Sequence, residues 1–458
     1  MIAEKPRRSP WKVVIPLVAL ILALIGGGLY WRSHKSVKLT DKDTIVLADF
    51  TNTTGDSVFD DTLKQALAVG LGQSPFLNIL SEERVGQILT EMTRSPNQRL
   101  TRGLAREVCQ RAGSKAYLAG SISALGAQYV IGLEALNCAS GDALAREQVT
   151  AAGKEQVLPI LGKAATRLRR ELGESLGSVQ KFDVPLEQAT TSSLEALKAL
   201  TLGDKTFREK GDIDAIPFIR RAIELDSNFA LAYAYVGVDY LNLNQPNLAA
   251  HYVKKAFELR DRVTERERFF ITTMYYDTVT GESEKSNETY EMWLQAYPRD
   301  AYGHFNFGSL WMVLGQYEKA SAETLEGVRL EPNSGDAYSS LGQIYLALNR
   351  FDEAKATTEE ASRRKLDAIP LHLNLYVLAF FQNNLEAMKQ QVDWAVGKPS
   401  AEDQMLSLES DTEAWFGRLK NARVLSRQAV ERARRNDEKE PAALWQANAA
   451  IRLSLIHI

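Results

Sequence analysis

The chain has 458 residues, a formal net charge of −3, 45% hydrophobic residues and 25% charged residues. Those fractions belong to folded protein and exclude disordered and fibrous classes, and the near-neutral balance gives no basic field for nucleic acid. Two cysteines, Cys109 and Cys138, are too few for a disulfide scaffold or a cysteine-rich zinc module.

In chain order, the first feature is an uncharged run of 19 residues from Val13 to Trp31, VVIPLVALILALIGGGLYW. Its length suits a hydrocarbon core about 30 Å thick, and Trp11, Tyr30 and Trp31 stand where aromatic rings favour the headgroup layer. No small-residue cleavage site follows and no cysteine is placed for lipidation. A retained transmembrane helix over 13–31 is therefore expected, rather than a cleaved signal; the alternative is a buried hydrophobic helix. Lys5, Arg7, Arg8 and Lys12 precede the run, while Arg32, Lys35 and Lys38 follow it. A basic tail over 1–12 left in the cytoplasm puts the bulk of the chain outside the bacterial cytoplasmic membrane.

Residues 43–180 read as a compact α/β domain. Thr44–Phe50 is an apolar β-branched run, the pattern of a strand buried on both faces, followed by a turn-rich stretch, Thr51–Asp56. Helical periodicity over Asp60–Leu71, a strand at Phe76–Leu80, a capped helix after Ser81 and another near Leu104–Ala112 come next. Ala116–Leu125, Gln128–Asn137 and Ala143–Thr150 read as three antiparallel strands, and a long amphipathic helix from Lys154 to Leu172 closes the unit. This order, with IVLADF-TNTTGD early and AYLAGSIS later, resembles the TolB amino-terminal and FlgO-like domains of bacterial envelope proteins. The resemblance implies a periplasmic interaction domain and no catalyst. Cys109 and Cys138 can pair outside the cytoplasm, closing a loop of about 30 residues for roughly 3 kcal/mol, or stand as two buried thiols. Asp56, Asp60 and Asp61 match no calcium loop and are expected to cap the following helix.

From residue 194 to 452 a repeat emerges. Leu202-Gly203, Ala215 and Ala222 recur 34 residues later as Val236-Gly237, Ala249 and Ala256, and the frame returns at Phe307-Gly308, at Leu341-Gly342 and at Gly417. This is the tetratricopeptide pattern, with small residues where paired helices cross closely. Copies start near 196, 230, 267, 301, 335, 369 and 403, spaced by 34 except for 37 between the second and third. The fold class expected is a small α+β domain after one transmembrane helix, then an all-α tetratricopeptide superhelix. The concave face of such an array binds proteins or peptides; the contact positions expected are Tyr302, Phe305 and Ser309 in one copy and Asp336, Ser339 and Gln343 in the next.

Nothing points to chemistry. Phosphate-loop, nucleophile-elbow, H-E-x-x-H and C-x-x-C motifs do not occur, and the five histidines are scattered. No catalytic, cofactor or metal site is expected, and the partners are a protein or peptide on the repeats and the bilayer through 13–31.

The span, TDKDTIVLADFTNTTGD, AREVCQRAGSKAYLAGSISALGAQYVIGLEALNC and the repeat array together resemble the extracytoplasmic half of acidobacterial-type transmembrane serine/threonine protein kinases. The resemblance runs from about residue 10 to 452 and implies a sensor region. The kinase's Gly-rich loop, H-R-D and D-F-G have no counterpart in this chain. Either Met1 is internal to a longer gene, or the chain is a kinase-less relative, a freestanding envelope scaffold. Leu453–Ile458 (LSLIHI) matches one frame of a common sequencing-library transposon end, so 453–458 is expected to be read-through.

Overall fold

The computed structural model describes residues 38–456. The basic tail and the apolar run 13–31 lie outside these residues, and among the described residues no helix is long and apolar enough to cross a membrane.

Six strands make one sheet: β1 (Thr44–Leu47), β2 (Thr51–Asn52), β3 (Asn78–Ile79), β4 (Ala116–Leu125), β5 (Gln128–Asn137) and β6 (Ala143–Ala151). The order is β3-β1-β4-β5-β6, with β1 parallel to both neighbours and β4 to β6 an antiparallel meander; β2 pairs with β4. Side chains alternate across β1 as its period of two requires. Ile45 and Leu47 face one hydrophobic layer with α1 (Thr62–Gly72). Val46 faces the opposite layer with α2 (Glu82–Glu91) and α3 (Arg102–Arg111). Ser81 and Thr101 start these last two helices by accepting the Arg84 and Leu104 amides, which meets donors that a helix start leaves open. α4 (Val157–Leu172) joins α1 on its side of the sheet.

Two details differ from the sequence reading. Thr51–Asn52, expected as turn, forms a short strand because the Asn52 side chain organises the loop behind it. Its amide nitrogen donates to the Asp56 carbonyl (2.9 Å) and to Asp60 (3.0 Å), and its oxygen accepts the Thr54 amide (3.0 Å). The α/β body also continues past residue 180, through α5 (Leu176–Phe182) and α6 (Leu186–Ala189), since Leu186 packs over Gly70 and Gly162. Between α4 and α5 lies an ion pair fully removed from water. Arg169 donates to both Glu174 oxygens (2.8 and 3.0 Å) and to Asp183 (3.1 Å), while Ser178 adds a 2.7 Å bond to Glu174. Burial pushes the Glu174 carboxyl up, but the hydrogen bonds from Arg169 and Ser178 outweigh it and hold the pKa below its usual value.

The rest is helix pairs: α7 (Leu194–Lys210) with α8 (Asp212–Leu225), α9 (Ala230–Asn242) with α10 (Pro246–Glu258), and α11 (Glu265–Tyr275) with α12 (Ser283–Ala296). Then come α13 (Ala301–Val313) with α14 (Tyr317–Leu330), α15 (Gly335–Ala347) with α16 (Phe351–Arg363), and α17 (Ile369–Phe381) with α18 (Leu385–Ala395). α19 (Glu402–Trp415), α20 (Leu419–Arg435) and α21 (Lys439–Ile456) complete the array. The longer interval before the third pair holds a 3₁₀ turn, Arg260–Arg262, in which Arg260 lies over the Phe257 ring at 3.9 Å. That third pair lacks small signature residues and fills its gaps with rings: Phe257 stacks on Tyr275 at 3.8 Å and Tyr290 on Phe307 at 5.2 Å. In the first two pairs the helices cross at glycine. A Cβ on Gly203 would stand 2.5 Å from Ile219, and one on Gly237 2.7 Å from Val253.

The α/β body and the array are joined along a seam. One hydrophobic cluster runs from the sheet through the first four pairs. Phe182 packs edge-on against Tyr297 at 5.6 Å, and the Tyr297 hydroxyl donates to the Gln73 carbonyl at 3.3 Å. α2 acts as a strut between distant pairs. Gln87 of α2 donates to the Arg364 carbonyl after α16 at 3.5 Å, and Asn97, just beyond α2, donates to Glu209 near the end of α7 at 2.8 Å.

Two substitutions test this account. Glu174→Ala strands the Arg169 guanidinium in the interior and should lower unfolding free energy by about 3–5 kcal/mol in urea titrations. Gly237→Val forces a branched side chain into the α9–α10 crossing and should cost about 2–3 kcal/mol; an unchanged urea midpoint would mean the crossing is loose.

Candidate partner-binding site

Residues 302, 305/306 and 309 lie on one face of α13, and 336, 339/340 and 343 on one face of α15, by the helical spacing of three and four. The structure separates the six expected contacts into two groups. Tyr302 is 43% exposed, and Asp336 and Gln343 are exposed. Ser339 is not available: it is 3% exposed, its hydroxyl donates to the Gly335 carbonyl at 2.7 Å, and its own carbonyl accepts Asn374 of α17 at 2.7 Å. Phe305 is a packing residue whose ring lies against Gly327 of α14, and Ser309 turns its hydroxyl back to the Phe305 carbonyl at 3.1 Å. Ser339 and Phe305 share one cause: the first helix of a pair must pack against both its partner and the next pair, so only part of the expected face is left for a ligand; half-buried Ser309 spends its donor within its own helix.

Tyr302 and Asp336 stand near residues that the sequence reading passed over. Asp336 is accessible to solvent, yet desolvation by the surrounding protein raises its carboxyl pKa, as expected of a group on a concave wall. Asp212, at the start of α8, is raised by burial and by the charge of Asp336, although Asn242 donates to it at 2.8 Å. Asp239 on α9 is 4% exposed and is pushed up to about 8, first by burial, then by the charges of Asp212 and Asp204 and by its hydrogen bond with Asp212. The neighbouring bases are committed elsewhere: Arg208 pairs with Asp204, and Arg266 bonds Asp300 at 2.5 and 2.8 Å. Asp204 occupies the same repeat position as Ser309 and Gln343, so carrying that position back to the first copy was a signal for this cluster.

Of the three acids expected to cap, only Asp56 does so, at the 3₁₀ turn Ser57–Phe59 that precedes α1. Asp56 accepts the Val58 amide at 2.9 Å and Asp60 accepts Asn52; Asp61 precedes α1 without a side-chain cap bond. Among the described residues no group of three or more histidine, cysteine or acidic side chains could hold a metal ion.

Cys109 on α3 and Cys138 after β5 are buried neighbours, with Cα atoms 5.9 Å apart. Arg106 and Gln110 of α3 both donate to the Cys138 carbonyl, at 3.0 and 2.8 Å, and hold the strand end against the helix. This separation suits a disulfide. We expect denatured, unreduced protein to take up no maleimide and reduced protein to take up two per chain; two labels before reduction would establish free thiols. Replacing both cysteines by alanine should then cost roughly 3–4 kcal/mol.

Comparison with known proteins follows this geometry. The tetratricopeptide repeat family model matches residues 335–367, the α15–α16 pair. No curated protein sequence matches the chain. Among solved structures the chain is similar to PilW, a widely conserved type IV pilus biogenesis factor, at 15% identity over 46% of this chain and 98% of that one, with a TM-score of 0.35. It is also similar to a thermophilic tetratricopeptide protein of Thermus thermophilus, at 20% identity over 40% and 99%, TM-score 0.34. A Rap protein complexed with competence and sporulation factor shares 17% identity over 58% and 76%, TM-score 0.39. The helical part is a tetratricopeptide-type superhelix preceded by an α/β region, and no catalytic domain is evident among the described residues.

Proposed function

We propose that this chain is a membrane-anchored interaction protein whose repeat array binds a protein or peptide partner on its inner face. The observation that carries the reading is the set Tyr302, Asp336 and Gln343, which are exposed along neighbouring first helices. An array of this kind stacks one such surface per pair into a continuous curve, the geometry that suits an extended chain. The apolar run 13–31 would hold the array at the bacterial cytoplasmic membrane, with the basic tail inside and the α/β region and repeats outside. In this reading the region is the sensor part of a receptor serine/threonine kinase system, in keeping with the resemblance that runs through the span, the α/β domain and the repeats. A freestanding envelope scaffold is the alternative.

A photo-crosslinking amino acid placed at Gln343 should give covalent adducts with the partner in intact cells, and the same group at Glu359 on α16 should give none. Equal adducts at both positions would defeat the inner-face reading. Sequencing the locus upstream of Met1 separates the two contexts. An in-frame Gly-rich loop, H-R-D and D-F-G support the sensor, whereas a stop codon selects the scaffold.

A further inference from the structure

The last residue of the first helix recurs every 34 positions, and in the fourth to seventh pairs it is Val313, Ala347, Phe381 and Trp415. Stacking of the pairs sets these helix ends along one edge of the array. Three of them are large and apolar yet open to water: Val313 is 81% exposed, Phe381 52% and Trp415 75%. Ring contacts join the fifth, sixth and seventh pairs into a ridge. Phe351 meets Phe381 at 4.9 Å, Phe380 meets Phe381 at 5.7 Å, and Phe380 meets Trp415 and Phe416 at 6.2 and 6.0 Å. Leu385, at the start of α18, is 72% exposed. Single exposed apolar residues need no explanation, but a connected ridge marks a surface that meets something.

The ridge runs into a basic helix face. Arg418, paired with Glu413, lies over the Phe416 ring at 4.7 Å. Beyond it Lys420, Arg423, Arg427 and Arg434 follow spacings of three, four and seven, which puts them on one side of α20, and all four are exposed. Glu431 is the one acid in α20, and none of these four cations enters an ion pair among the described residues. α21 takes a different side, through Val430, Ala433 and Ala442.

Open tryptophan and phenylalanine beside unpaired cations suit the boundary between lipid headgroups and acyl chains, where rings enter the apolar layer and arginine stays with phosphate. A nucleic acid would use the basic face but leave Leu385 in water. We infer that this edge of the array rests on an anionic lipid surface, with Phe381, Leu385, Trp415 and Phe416 entering the headgroup layer and Arg423 and Arg427 held by lipid phosphates. The inference rests on the anchoring reading above. The apolar run ends at residue 31, and residues 32–37 can span at most about 20 Å before the described fold begins, so a bilayer would always be within reach. One tether leaves the array free to swing, whereas a second contact fixes its orientation to the membrane.

The test uses the full chain in vesicles of phosphatidylcholine and phosphatidylglycerol, with a photoreactive amino acid at Trp415 or at Leu385. Both positions should form lipid adducts, read by intact mass. Lys365 should form none, because it is exposed in the turn after α16, at the far end of a 13-residue helix about 20 Å long. Omitting phosphatidylglycerol, or combining Arg423→Gln with Arg427→Gln, should cut the adduct yield at Trp415 by about tenfold. Both arginines are exposed, so the melting temperature of that variant should hold. The inference is overturned by lipid adducts at neither position, by equal yield at Lys365, or by a yield indifferent to both charge changes. Adducts at Trp415 that join two copies of this chain instead of lipid also overturn it. The anchor is judged separately, by alkaline extraction of the vesicles. A chain that withstands extraction but labels no lipid keeps its anchor and loses the ridge contact. A chain that is extracted, although Trp415 had labelled lipid, loses the anchor and keeps the contact.

Discussion

The strut made by α2 sets the shape on which the rest of the molecule depends. A stack of helix pairs contacts only its neighbours, so its curvature is otherwise the sum of small rotations that each pair leaves soft. Here Gln87 of α2 reaches the turn after α16, and Asn97 just beyond α2 reaches Glu209 near the end of α7, which ties the first pair to the fifth. The seam at Phe182, Tyr297 and Gln73 fixes the middle of the same arc.

The same logic explains where polar groups are spent. In the α/β body and at the seam, buried charge is fully matched, as in Arg169 with Glu174 and Asp183, or Asp300 with Arg266 and the Trp293 indole (2.9 Å). Further along the array the matching is looser, and buried Asp239, Asp403 and Glu438 each keep one carboxylate oxygen without a hydrogen-bond partner.

Much of the architecture was legible in the sequence for identifiable reasons. The repeat frame announced itself through glycine and alanine at Gly203, Gly237, Ala215 and Ala249, because helices this close admit no larger side chain. Strand alternation in Thr44–Leu47 revealed a two-sided sheet. The binding face was legible only in part. Ser339 and Phe305 occupy positions on the expected face, yet packing between and within pairs claims them, and no period in one chain distinguishes those two uses. Asp212 was hidden differently. At a helix start an acid reads as ordinary dipole compensation, and the bond it accepts from Asn242 of the next pair shows only in the fold.

The array nearly meets itself. Asn247 at the start of α10 donates to Glu440 at the start of α21 across 3.2 Å, although 193 residues separate them. A superhelix that bends round to touch its own second pair encircles whatever lies along its inner wall. A bound strand would leave by sliding lengthwise, or after this contact opens, rather than by lifting away sideways. Such topology slows dissociation without any added contact energy, and residence time becomes a property of how far the ring is closed.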